Sequence, residues 1–261
     1  MSENTQSYSA KGEVSNITKR RTRFERIKIA FSKAPLSAWF GMIVLSIYLI
    51  AAFFAPFIAP HGEAEVFPVA YAPWGGEHLL GTDQIGRDIL SRLIFASRNT
   101  LGICFLACTI ALFIGTIFGI IAAIDRSYID QILSRSIDTL MAIPVMIFTF
   151  ILLSVFGPSN LNLILILGVL ESTRFFRISR SVAVGQVVLE YVEVAKLRGE
   201  KLSYIIFREI LPNIASPLIV EFGVRFIFII FTVSSLSFLG LGIQPPAADW
   251  AAMVRLSLIH I

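Results

Sequence analysis

Three long stretches of this 261-residue chain carry no charge, and they set its predicted elements. Ala34–Pro60 and Asn99–Ile124 are uncharged throughout; Thr139–Leu170 is also uncharged but is broken by Gly157-Pro158-Ser159-Asn160. About 20 consecutive apolar residues cross a bilayer as an α-helix, because a helix satisfies its own backbone hydrogen bonds there. The pattern predicts spans at 37–59, 100–124, 139–157, 161–179 and 215–237. Glu171, Arg174 and Arg177 crowd the second half of the fourth, and the fifth carries Glu221 and Arg225. Short alternating segments, the mark of a membrane β-barrel, are lacking. The expected fold is all-α, a polytopic transmembrane helical bundle. The first span follows a long basic lead and has no small-residue cleavage site at its end, so it reads as a retained span rather than a signal peptide.

Composition agrees: 56% of residues are hydrophobic and 15% charged, with a mean hydropathy of +0.77. A soluble domain averages about 25% charged residues. The net charge of +4 reports orientation rather than nucleic-acid binding. Lys and Arg number eight before the first span, two in 125–138 and seven in 174–213, against three in 60–98, none in 158–160 and one after the fifth span. Seventeen against four places the first set in the cytoplasm by the positive-inside rule. The N-terminus and 191–213 are then cytoplasmic, and 60–98 lies outside.

Little here suggests catalysis. There is no G-x-x-x-x-G-K-[ST] loop, no H-E-x-x-H and no nucleophile elbow. His61, His78 and His260 are scattered and show no metal spacing, so no metal ligand is assigned. Cys104 and Cys108 fall on one helical face inside the second span and read as small packing residues. Gly115-x-x-x-Gly119 reads as a close helix contact.

One polar stretch stands out at 191–213. Glu190 and Glu193 open a short helix and Lys196 and Arg198 close it, an order that suits the helix dipole. Gly199 supplies a left-handed cap, an apolar face follows at Leu202, Ile205, Ile206 and Ile210, and Pro212 is expected to end the second helix. Such a pair could lie on lipid headgroups or dock to a protein. Glu221 and Arg225, four apart, can pair within the membrane, either to orient the fifth span or to line a pathway.

Three motifs carry a family resemblance. Glu193-Val194-Ala195-x-x-x-Gly199 followed by Ile210-Leu211-Pro212 resembles the EAA loop of bacterial ABC-importer permeases, with Val194 in place of the middle alanine. Gly81-Thr82-Asp83-Gln84-Ile85-Gly86-Arg87-Asp88-Ile89-Leu90-Ser91-Arg92 resembles the signature of the dipeptide, oligopeptide and nickel subfamily. In it Asp83 is expected to cap a helix, and Ile89, Leu90, Leu93 and Ile94 to form the apolar face of an interfacial helix with Arg87, Arg92 and Arg98 polar. This segment reads as a structural anchor or as a substrate contact. Leu236-Ser237-Phe238-Leu239-Gly240-Leu241-Gly242-Ile243-Gln244-Pro245-Pro246 with Asp249-Trp250, and the spacing Asp130, Arg135, Asp138 and Pro144, are similar to further patterns of that subfamily.

The resemblance covers roughly 35–255 and is closest to the C-type member of a heteromeric permease pair. It implies a type I ABC-importer permease fold of six spans, five present here, with 256–261 a truncated end. It divides the chain into a basic cytoplasmic segment 1–36, span one at 37–59, an outer segment 60–99 with the interfacial helix, and a permease core 100–255. It further implies no catalytic residue and no cofactor in this chain, ATP and Mg being bound by two cytoplasmic ATPase subunits that dock at 191–213. The other implied partners are a homologous permease subunit, an extracytoplasmic substrate-binding protein and the lipid bilayer, with no nucleic acid. The implied location is the bacterial inner membrane, multi-pass, and the implied solute is a di- or oligopeptide, with nickel or another small solute as the alternative.

Overall fold

The structure, a computed structural model, describes residue 32 and residues 34–125 and 127–259. Most of the basic segment 1–36, and the end at 260–261, lie outside the described residues. The chain divides into two units, Met1–Ile47 and Tyr48–Ile261. In the first, α1 (Leu36–Phe53) begins as a uniformly apolar helix without a charge. The second holds α2 (Ala55–Ile58), α3 (Ile89–Ile124), α4 (Tyr128–Met141), α5 (Val145–Phe156), α6 (Asn160–Val187), α7 (Glu190–Leu197), α8 (Leu202–Tyr204), a π-helical segment at Ile205–Ile210, α9 (Leu211–Phe238) and α10 (Trp250–Ile259).

α3 and α6 form the centre of the second unit. Ala107, Ala111, Gly115 and Gly119 let their backbones approach, and a Cβ at Gly115 or Gly119 would run into the α6 backbone at Ser172, Phe176 or Arg180. Ser179 seals the contact, its hydroxyl donating to the Gly115 carbonyl at 3.1 Å. Small residues at this spacing are how membrane helices gain dispersion contact where burial against lipid gives no hydrophobic drive. Cys104 and Cys108 are buried and unpaired in this contact with Leu163, Leu167 and Phe175, the packing role expected of them.

Three described helices are long and apolar enough to cross a bilayer: Leu36–Phe53, Ile89–Ile124 and a continuous Leu202–Phe238. α4 and α5 would count as a fourth, broken span, bent by 85°. The break falls at Pro144, which donates no N–H and disfavours helical backbone before it. α6, the predicted fourth span, fails that test: its charged second half turns Glu171, Ser172, Thr173 and Ser179 into the bundle.

Two expectations are corrected. No separate interfacial helix follows Asp88, because α3 starts at Ile89 and runs 36 residues without a break. At 1.5 Å per residue this is roughly 54 Å, well beyond the ~30 Å hydrocarbon core. The expected faces hold only in part: Ile89, Leu90 and Ile94 are half-buried and Arg98 exposed, but Leu93 is exposed and Arg87 and Arg92 are buried, since both arginines turn toward Asp83. Pro212 does not end a helix. It sits in the first turn of α9, where a missing N–H is tolerated, and the residues just before it widen into the π-helical segment.

Candidate functional site

The first candidate is the loop ahead of α3. Asp83 was expected to cap a helix; it instead closes its own turn, accepting from the N–H groups of Ile85 and Arg87 at 3.0 Å each. Its other oxygen takes the Arg87 guanidinium at 2.7 Å. Burial pushes the Asp83 carboxyl up, but these hydrogen bonds and the Arg87 charge outweigh it and hold the group below its ordinary value. The N-cap of α3 is Asp88, which accepts from Ser91 N–H at 2.8 Å. Thr82 donates to the Val69 carbonyl at 2.9 Å and accepts from Ala72 N–H at 2.8 Å. Gly81 and Gly86 have φ of +79° and +83°, and a Cβ on either would strike the carbonyl of Ala72 or Phe67. The signature residues thus direct their hydrogen bonds at one another and at the neighbouring loop, which favours the anchoring reading.

A second set of contacts, not foreseen from the sequence, ties this loop to the segment after α9. Glu63 accepts from Ala248 N–H at 2.5 Å and from Asn99 at 2.7 Å. Thr100 donates to the buried Asp249 at 3.0 Å, and the Trp250 indole donates to the Leu93 carbonyl at 3.2 Å. The Asp249-Trp250 end of the third motif was the available signal; its partners are about 150 residues away and left none.

The second candidate is the intramembrane charge cluster. Arg225 Nε stands 2.7 Å from Glu221, the predicted pair, as an ion contact rather than an aligned hydrogen bond. Its guanidinium also lies 4.0 Å from Glu171 of α6 and over the Phe228 ring. Glu171 is 6% exposed and completes a cluster of two carboxylates and one cation that sequence reasoning took for a pair. On the same helix, Arg180 grips Asp130 of α4 with two bonds of 2.6 Å, and Arg177 reaches Asp138 at 2.6 Å. These bridges give the Asp130 and Asp138 spacing its physical role, clamping α4 to α6.

The third candidate is the 191–213 loop. α7 ends in a double-bonded cap: Gly199 N–H donates to Lys196 at 3.0 Å and Glu200 N–H to Ala195 at 3.2 Å, with Gly199 at φ +73°. Val192 and Ala195 are buried with Ile205, Ile206, Ile210 and Ile214 against Ile120, Ala123 and Ala183. Asn213 donates to the Tyr191 hydroxyl at 3.2 Å, fixing the start of α7 to α9. Leu211 is half-buried and Pro212 exposed. Among the motif residues, Ala195, Gly199 and Ile210 therefore build the loop, and the exposed face belongs to Glu193, Val194, Leu197, Arg198 and Leu202.

Residues 115–259 match the family described as binding-protein-dependent transport system inner membrane component. The chain belongs to this family of permeases. Residues 31–73 match the N-terminal transmembrane domain of oligopeptide transport permease C, which makes the permease one of the C type. It is 34% identical over 216 residues to a dipeptide transport system permease protein of Alkalihalophilus pseudofirmus, covering 82% of this chain and 71% of the relative. It is 32% identical to the dipeptide transport system permease protein of Haemophilus influenzae, over 86% of this chain and 78% of the relative. A glutathione transport system permease protein of Pectobacterium atrosepticum is 31% identical, over 90% and 78%. The permease is a multi-pass inner-membrane protein of the type I ABC-importer fold, and its charge cluster and 191–213 loop both lie inside the 115–259 match.

Proposed function

We propose that this permease subunit joins a homologous permease to form the path by which short peptides enter the cell, driven by two ATPase subunits docked on the 191–213 loop. The observation that carries the docking is the loop's exposed apolar edge. Val194, Leu197 and Leu202 are 51%, 81% and 48% exposed on a helix pair whose opposite face is buried and capped. An apolar patch rimmed by charge is the form of a protein contact. ATP and Mg belong to the partner subunits, and closure of those subunits moves the loop and the α9 helix continuous with it as a rigid body. The N-terminus and the 191–213 loop face the cytoplasm, and 60–99 faces outward to a substrate-binding protein. The domains follow: a cytoplasmic lead at 1–36, the first span at 37–59, and a core at 100–255. Peptides are favoured over nickel because the relatives are named for dipeptide and glutathione transport.

The test uses the whole transporter in liposomes with its binding protein. Leu197→Asp should weaken ATPase docking and uncouple ATP hydrolysis from dipeptide uptake, while the exposed position leaves the fold intact. Coupled uptake at the normal rate would overturn the docking site. Nickel uptake without dipeptide uptake by the unaltered complex would overturn the solute.

A further inference from the structure

His61, His78 and Asp88 are separated by 17 and 10 positions, yet the loop before α3 folds them into one cluster. One ligand atom from each lies within 4.8 Å of the other two. His78 Nδ1 is already 3.1 Å from Asp88 Oδ1. The two imidazole centroids are 5.1 Å apart, and Phe67 packs edge-on against both rings, at 4.8 Å and 4.6 Å. Gly86 makes this possible: its carbonyl accepts from Phe67 N–H at 2.8 Å in a turn too tight for a side chain. Asp88 is 1% exposed and His78 12%.

A second observation points to a ligand. His61 Nδ1 is buried and has no hydrogen-bond partner. Leaving a buried polar atom unpaired costs about 1–3 kcal/mol, so native structures rarely do so without a reason. The neighbouring groups are already engaged. Asp88 Oδ2 holds Ser91 N–H at 2.8 Å, and Ser91 Oγ accepts from the His61 backbone N–H at 3.0 Å.

We propose that His61, His78 and Asp88 form a binding site for a divalent metal ion of the zinc class on the loop that leads into α3. Two imidazoles and a carboxylate are the donor set of three-ligand zinc sites, whereas calcium and magnesium require mainly oxygen. Tetrahedral bonds of about 2.0–2.2 Å put ligand atoms roughly 3.3–3.6 Å apart. The His78–Asp88 contact, at 3.1 Å, is slightly tighter than that, and the remaining separations, none above 4.8 Å, need to close by at most about 1.5 Å to reach it. Coordination would satisfy the His61 nitrogen and displace the His78–Asp88 hydrogen bond. It would also staple residue 61 to residue 88, fastening the loop to the α3 N-terminus. The fourth position is left to water. The site is independent of the solute carried and of the ATPase contact.

The experiment uses the intact transporter, stripped with chelator and titrated with zinc against a chromophoric competitor. The unaltered complex should bind one zinc more per permease chain than the His61→Gln and His78→Gln variants, and each variant should lower the affinity of that zinc about tenfold or more, as even the outer partners of metal ligands do. Cobalt(II) should give the intense visible bands of four-coordinate geometry in the unaltered complex. That reading needs no variant, so a variant that fails to assemble does not blunt the test. Equal zinc binding in the unaltered complex and the double variant, or a pale six-coordinate cobalt spectrum, would reduce the cluster to a His–Asp hydrogen bond and overturn the proposal.

Discussion

Gly199 offers the sharpest test of how the 191–213 loop is held. Its φ of +73° lies in the left-handed region, and it closes α7 through its own N–H and that of Glu200. Beyond Gly199 itself and its two chain neighbours, no heavy atom stands within 4 Å of where a Cβ would be built. A substitution therefore meets no clash, and its cost is confined to the backbone. For an L-residue with a Cβ that cost is roughly 1–2 kcal/mol. It corresponds to about a 5- to 30-fold change in the balance between capped and opened loop. Asn, which tolerates this conformation, should cost less. Hydrogen exchange on the intact transporter in nanodiscs reads the effect directly, because both capping amides exchange when the cap opens. Gly199→Ala should speed exchange across 195–200 by about that factor, with Gly199→Asn falling between the two. Dipeptide uptake should fall in the same order. Exchange in Gly199→Ala as slow as in the unaltered protein would refute the reasoning, and equal behaviour of Ala and Asn would show that left-handed strain is not its source.

Two further outcomes follow from the charged groups. Arg225→Gln removes the cation that Glu171 and Glu221 share and should destabilise the bundle by about 3–5 kcal/mol, the cost of leaving buried charge without its partner. Adding Glu221→Gln should restore part of it, and thermal unfolding of Arg225→Gln at the unaltered midpoint would show that the three groups are not coupled. Asp83 has a folded-state pKa below its ordinary 3.8, so its stabilisation is present above that value and is lost as pH falls below it. The stability gap between the unaltered protein and Asp83→Asn should be flat from neutral pH to about 5 and close below about 4; a gap that widens on acidification would contradict the assignment.

What could be read in advance followed the range of the interactions. The cap at Gly199 and the Gly115-x-x-x-Gly119 contact were legible because each depends on a few neighbours and a fixed helical period. The function of Asp83 is misassigned because a carboxylate six residues before a helix and one directly before it look alike until the turn is seen to close on Arg87. Pro212 misled because a proline can end one helix or begin the next, and only the continuity of residues 202–238 decides which.

The sequence by itself determined a membrane-spanning helical chain, the family to which it belongs and the loop by which it is proposed to meet an ATPase. Those conclusions rest on composition, on period and on motifs whose residues lie close together. Only the tertiary structure decided which charges share a site. Glu171 of α6 joins Glu221 and Arg225 of α9, Arg180 and Arg177 of the same α6 meet Asp130 and Asp138 of α4, and a long loop brings His61 to His78 and Asp88. No period in the chain encodes these meetings, because each is set by where packed helices and a folded loop place side chains 10 to 54 positions apart.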